Sequence, residues 1–141
     1  MDTLNVRVRV ENSRFGQILR AASRIEKGEP IFFLDGMIVS QPSKYTIQLD
    51  DQEHVLTTEH QWRLMNHGCE PNVLIDTGSR EMVATRDILA GEELTFNYNS
   101  TEWSMVSSFA CECGAPMCAG EVRGFKYLDA KHSEALRPFI S

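Results

Sequence analysis

The chain has 141 residues, 42% of them hydrophobic and 24% charged, with a formal net charge of −6. That length suits one domain with its own core, and no apolar run approaches the roughly 18 residues that cross a bilayer, so no membrane partner is expected. The negative balance argues against direct binding to nucleic-acid phosphates and suits a basic protein or peptide partner better.

The opening MDTLNVRVRV lacks the apolar core of a signal peptide, so an intracellular location, cytoplasm or nucleus, is expected. Within it NVRVRV (5–10) alternates apolar and polar residues, the period of a half-buried strand. Strand-length runs follow between Gly, Pro and Asp punctuation: QILRA, IFFL, MIV, YTIQL and HVL. DDQE (50–53) reads as a solvated turn. TEHQWRLMN (58–66) predicts a short helix capped by Thr58. NVLID, EMVAT and ELTFNY then have strand composition. At the end, DAKHSEALR (129–137) predicts a helix with Asp129 as N-cap and Pro138 as stop. The expected fold is mainly β, with small sheets and short helices.

Four cysteines stand out: Cys69 alone, and Cys111, Cys113 and Cys118 in a C-x-C-x4-C cluster. Four thiolates satisfy a structural zinc ion with no vacant position, and the glycine after Cys113 lets a loop turn tightly around a metal. The alternatives are reduced, partly buried thiols, or disulfides, which an intracellular chain disfavours. His54, His60 and His132 show no ligand spacing and read as surface or hydrogen-bonded histidines.

Three motifs in order resemble the SET domain, the fold of the protein-lysine methyltransferases. RLMNHGCEPN (63–72) resembles R-F-x-N-H-S-C-x-P-N, with Gly68 where Ser is usual. GEELTFNY (91–98) resembles G-E-E-L-T-[YF]-D-Y, with Asn97 for Asp. CECGAPMCAG (111–120) resembles the zinc-binding cluster of the post-SET segment. The stretch SRFGQILRAASRIEKGEPI (13–31) resembles the family's G-x-G-x-x-A…I-x-K-G-E-x-I, with Arg14 where the first Gly is common. Glu59-His60 likewise replaces a common Gly-Asn pair.

The resemblance implies a SET fold with pseudoknot-like threading over 1–107 and a zinc-bound post-SET segment with a C-terminal helix over 108–141. It implies S-adenosyl-L-methionine as cofactor, held by Arg14, Phe15, Gly16, Arg63, Asn66, His67, Tyr98 and Phe125. Structural Zn2+ would be held by Cys69, Cys111, Cys113 and Cys118. Tyr98 matches the active-site tyrosine, and Phe96 and Trp103 would line the substrate channel. Phe125 stands in for an aromatic that the family places nearer the last cysteine, where this chain has Glu121. Phe109 is a further aromatic beside the cluster that suits a purine or a methylated ammonium.

The implied reaction is methyl transfer to a lysine amine of a protein, with histones as one candidate. A sulfonium methyl needs little acid–base help, but the amine, with a solution pKa near ~10.4, must lose a proton, which an apolar channel favours. Phe96, without a hydroxyl, predicts competence beyond monomethylation. Read without the resemblance, Tyr98 is more readily a strand tyrosine with its hydroxyl tethered in a core, and Phe96 is nearly as readily a core phenylalanine on a strand. Substrate selection is expected from the insert at 37–50 and the C-terminal segment. Two rival readings stay open: a SET-shaped binding module without turnover, and S-adenosylmethionine chemistry on a small molecule.

Overall fold

The structure, a computed structural model, describes residues 7–14, 16–43, 45–57, 60–111, 115–116 and 118–140. The first hairpin pairs β1 (Val8–Ser13) with β2 (Gly16–Ala21), Val8 opposite Ala21 and Ser13 opposite Gly16. The strand predicted at 5–10 is thus realised from Val8 onward and runs on to Ser13, while residues 1–6 lie outside the described ones. Gly16 has φ +100, a backbone that side chains avoid, and Ser13 Oγ donates to its carbonyl at 2.9 Å. Leu19 and Ala21 of β2 are fully buried, so this strand carries the hairpin into the core.

Four more strands match the apolar runs: β3 (Pro30–Phe33), β4 (Met37–Val39), β5 (Thr46–Gln48) and β6 (His54–Leu56); the very short β7 (Asn66–His67) after them was not expected as a strand. β8 (Val73–Asp76) and β9 (Glu81–Ala84) alternate cleanly, burying Val73, Ile75, Met82 and Ala84 and leaving their neighbours partly wet. That period-two burial is what a one-sided sheet requires. The sheets are antiparallel, in the orders β3-β9-β8 and β4-β6-β5.

Two expectations are revised. In place of a helix over 58–66, the described part of that stretch is one 3-10 turn, Gln61–Leu64. His60 at its start caps nothing with its side chain, and Met65 is already extended with ψ 124. Trp62 and Met65 are both buried, and the pull into the core and into β7 takes the chain out of helix. Thr58, the expected cap, lies outside the described residues. ELTFNY is strand only at β10 (Thr95–Phe96). Asn97 then accepts from the Asn99 N–H at 2.9 Å and opens a 3-10 turn, Tyr98–Ser100. An asparagine that bonds its own backbone competes with the ladder.

The threading follows from how residues 91–98 are held on both sides. Toward β2, the Ala21 N–H donates to Glu92 O at 2.8 Å and the Leu94 N–H to Leu19 O at 2.9 Å. Toward β7, β10 runs parallel, with Thr95 opposite Asn66 and Phe96 opposite His67. The Gly68 N–H reaches Phe96 O at 3.0 Å and the Asn72 N–H reaches Thr95 O at 3.2 Å. The segment therefore passes between two stretches that are far apart in sequence.

After this come β11 (Phe109–Ala110) paired with β12 (Glu121–Val122) and the helix α1 (Ala130–Leu136). Asp129 caps α1 as expected, accepting from the His132 N–H at 2.8 Å. Pro138 sits inside a following 3-10 turn, Arg137–Phe139, so the α-helix stops two residues before it. Among the described residues, no helix is long and apolar enough to cross a membrane.

Candidate active site

Tyr98 is placed by three constraints. Its hydroxyl donates to the Met65 carbonyl at 2.9 Å, and its backbone N–H donates to His67 Nδ1 at 3.0 Å. Its ring lies 4.8 Å from that of Phe96 and 5.4 Å from that of His67. Burial, reinforced by the nearby Glu93 carboxylate, pushes its pKa up to about 12, so the phenol keeps its proton. Phe109 closes the cluster edge-on, 5.9 Å from both the His67 and Tyr98 rings.

On one side Tyr98 faces a cavity of about 350 Å3. Phe96 and Met65 line it with Tyr98, as do Tyr45 and Ile47 of the insert, and Arg63 and Glu102 are its charged groups among the described residues. Glu102 had no signal in the sequence. Its carboxylate is buried, and its Oε2 accepts from the Gln48 N–H (2.8 Å) and the Thr101 hydroxyl (2.9 Å). Burial raises its pKa, only partly opposed by those two bonds. Gln48 reciprocates by accepting from the Trp103 N–H at 3.0 Å. Two residues 54 positions apart thus brace the insert against the turn that follows Tyr98.

On the other side of Tyr98 lie the cysteines. Cys69 Sγ is 3.8 Å from Cys111 Sγ and 3.2 Å from His67 Nε2, and these three atoms could hold a metal ion. Cys69 also meets the Ala119 N–H at 3.4 Å, and Cys118 Sγ lies 3.7 Å from the Cys111 carbonyl. Cys113 is outside the described residues. His67 is largely buried, which pushes its pKa down to about 4 and keeps the ring neutral.

The remaining expected site residues fall around this centre. Asn66, on β7, donates its side-chain amide to Glu93 Oε2 at 3.2 Å, a partner that the sequence did not point to. Arg63 donates to the His60 carbonyl at 3.0 Å and lines the cavity. Arg14 and Gly16 are exposed at the β1–β2 turn; Phe15 lies outside the described residues. Gly16 is three residues from Leu19, about 10 Å of strand, and Leu19 bonds the threaded segment directly. Phe125 stacks on Trp103, ring centroids 6.1 Å apart and 27° from parallel. Trp103 is 56% exposed.

Asp50 folds DDQE into the expected turn, accepting from the N–H groups of Gln52 and Glu53. His132 bonds Asp129 and the Cys118 carbonyl. His54 corrects the expectation of a surface or hydrogen-bonded ring: it is buried, and its Nδ1 has no hydrogen-bond partner among the described residues. It lies in the middle strand of β4-β6-β5.

The family model described as the SET domain matches residues 16–99. The chain belongs to the SET-domain family. "Methyltransferase flvH" of Aspergillus flavus is 42% identical over 67 residues, 46% of this chain and 38% of that protein. The "Histone-lysine N-methyltransferase, H3 lysine-36 specific" of Coccidioides immitis is 31% identical over 138 residues, 82% of this chain and 14% of that protein. This SET chain therefore spans well under half the length of those curated relatives. Among solved structures, KRYPTONITE in complex with mCHG DNA and SAH superposes with a TM-score of 0.68 at 24% identity, over 82% of this chain and 28% of that one. The methyltransferase domain of human SETMAR gives 0.65 at 22% identity, over 83% of this chain and 58% of that one. At such identities the likeness concerns the SET fold.

Proposed function

We propose that this chain is an S-adenosyl-L-methionine-dependent protein-lysine N-methyltransferase, with a SET unit over 1–107 and a post-SET zinc segment over 108–141. The observation that carries the reading is the position of Tyr98, one face on a largely apolar cavity and the other on the Asn66-His67 strand and the cysteines. The names of the relatives support the same class, and the KRYPTONITE structures contain SAH and, in one case, an H3(1-15) peptide.

When bound, the cofactor supplies a methyl group activated on a sulfonium. Asn66, held by Glu93, and His67, held by Tyr98, form a rigid short strand suited to bind it; Arg14, Phe15, Gly16, Arg63 and Phe125 are the further residues of the proposed site. The cavity wall of Phe96, Met65 and Ile47 excludes water from the amine's approach, and the fixed Tyr98 phenol aligns it. Phe96, 4% exposed and tight against Tyr98, leaves no hydroxyl to hold a water beside the amine, which supports di- or trimethylation.

The cysteines fit zinc. A tetrahedron with Zn–S arms of about 2.3 Å has edges of about 3.8 Å, which matches the 3.8 Å between Cys69 and Cys111. Backbone N–H groups of Ala119 and Gly120 point at sulfur, at 3.4 and 3.5 Å, as thiolate ligands favour. Cys69, Cys111, Cys113 and Cys118 would hold the ion, which would tie the C-terminal segment to the NHGC loop. Histone-tail substrates support a nuclear site of action and a basic partner. Direct nucleic-acid contact is not part of the proposal, although the KRYPTONITE structures contain DNA.

The test is transfer of labelled methyl from S-adenosylmethionine to histones and mixed cellular proteins, followed by mass spectrometry, with Tyr98→Phe as control. Label on lysine that needs Tyr98 is the expected result. Cofactor binding without transfer would favour a binding module, and label confined to metabolites would favour a small-molecule acceptor.

A further inference from the structure

The acceptor cavity poses a proton problem. A lysine arrives as an ammonium with a pKa near ~10.4 and must shed a proton before its lone pair is free. Among the described residues, the titratable or charged groups lining the cavity are Tyr45, Arg63, Tyr98 and Glu102. Arg63 offers a guanidinium, which donates hydrogen bonds and has no acceptor atom. Tyr98 spends its hydroxyl proton on the Met65 carbonyl and retains it to about pH 12. Tyr45 offers a phenol and not a carboxylate. Glu102 is the remaining group able to accept one.

Its geometry suits that task. Both bonds to the carboxylate fall on Oε2, from the Gln48 N–H and the Thr101 hydroxyl, and no described donor meets Oε1. The Glu102 backbone N–H donates to the Tyr98 carbonyl at 3.0 Å, so base and phenol belong to one turn. A rounded cavity of this volume is about 9 Å across, so an amine in the half nearest Glu102 lies within reach of its carboxylate directly or through one water.

We propose, building on the lysine-methyltransferase reading, that Glu102 accepts the proton of the substrate ammonium. The N–H bond breaks and an O–H bond forms on the carboxylate, leaving a neutral amine beside a neutral acid. The freed lone pair forms the C–N bond as the C–S bond breaks, with that electron pair staying on sulfur. The proton then leaves Glu102 for solvent before the next turnover. Transfer removes two buried charges at once, which a poorly hydrated cavity favours. Burial raises the proton affinity of Glu102 in the same direction.

Glu102→Gln is the informative variant, because its amide oxygen can still accept from Gln48 and Thr101. With an H3(1-15) peptide as acceptor, it is expected to lower kcat near neutral pH by about 100-fold. The deficit should shrink as the pH approaches the amine's own pKa, with cofactor affinity unchanged. A second readout needs no turnover: carboxyl-13C NMR of the glutamate-labelled wild-type protein. The resonance missing from Glu102→Gln should move toward its protonated position with the lysine peptide and stay put when norleucine replaces the lysines. Rates of variant and wild type within about threefold across the whole pH range, or a resonance indifferent to the lysine peptide, would overturn the proposal. A wild-type protein that methylates no lysine sinks the proposed function instead. Should Glu102→Gln not fold, Glu102→Asp supplies the resonance assignment, and the NMR result decides alone.

Discussion

The Tyr98 backbone N–H donates to His67 Nδ1 at 3.0 Å, and that bond dictates what the rest of the imidazole can do. A nitrogen that accepts is unprotonated, so the proton of the neutral ring sits on Nε2, 3.2 Å from Cys69 Sγ. His67 is therefore a donor to sulfur and not itself a metal ligand, although its nitrogen lies among the candidate ligand atoms. His67→Phe is expected to weaken zinc about 10- to 100-fold, measured by competition with a zinc-binding dye. Unchanged affinity would show that the imidazole does nothing for the thiolate.

Tyr98→Phe removes the hydroxyl that bonds the Met65 carbonyl and leaves that oxygen without its donor. The cost in stability is expected to be about 1 kcal/mol, small enough for the fold to survive. Methyl transfer should drop about 100-fold or more, while calorimetry finds cofactor binding little changed. A variant that unfolds, or that transfers at the wild-type rate, would contradict an alignment role.

What was legible in the sequence and what was not divides by range. NVLID and EMVAT announce themselves because strand composition is local, and they became β8 and β9. Asp129 was readable as a cap because its partner is three residues away. Glu102 was not readable, since its bond to Gln48 spans 54 positions and no local pattern marks a buried carboxylate. The same holds for Glu93 and Asn66, 27 positions apart. The misjudged helix at 58–66 has a related cause: the β7–β10 pairing, made to a segment some thirty residues on, overrides local propensity. Phe125 was placed by analogy of spacing, and the structure stacks it on Trp103.

Gly68, where the family motif usually has Ser, is closed to a side chain here. A Cβ would stand 2.6 Å from Thr95 Oγ1 and 2.9 Å from Thr95 Cβ. Thr95 is β-branched and held in the β7–β10 pair, so it cannot swing away freely. Gly68→Ser is expected to cost about 1–3 kcal/mol in denaturant unfolding. Thr95→Ala in the same chain should recover part of that loss, because it removes the nearer oxygen but keeps the Cβ. Full additivity of the two changes would rule out the contact.

Gly124 presents a harder case. Its φ is +114, and a Cβ would lie 2.5 Å from the Trp103 carbonyl oxygen and 2.7 Å from Ser104 Cα, both backbone atoms that cannot move aside. Its N–H also donates to Asn99 Oδ1 at 2.9 Å, tying the C-terminal segment to the turn after Tyr98. Gly124→Ala is expected to release residues 125–140 from the body of the domain. Hydrogen exchange should rise there and stay unchanged in β8 and β9. Equal protection in variant and wild type would show that the junction tolerates a side chain.

The raised pKa of Glu102 makes a prediction about stability that is separate from its proposed chemistry. Burial lifts the folded-state value above 4.5 and outweighs the bonds from Gln48 and Thr101. The folded protein therefore keeps this proton over a pH range in which the unfolded chain has lost it. The stability so gained is complete below about 4.5 and fades as the pH climbs through the raised folded value. Glu102→Gln has no such proton, so the stability of wild type relative to this variant should fall as the pH rises from acid to neutral. Urea unfolding midpoints of both proteins across that range measure the difference. A flat difference, or one growing with pH, would mean that the carboxylate is hydrated in the folded state, and the cavity would then lack the dry surroundings that make proton transfer favourable.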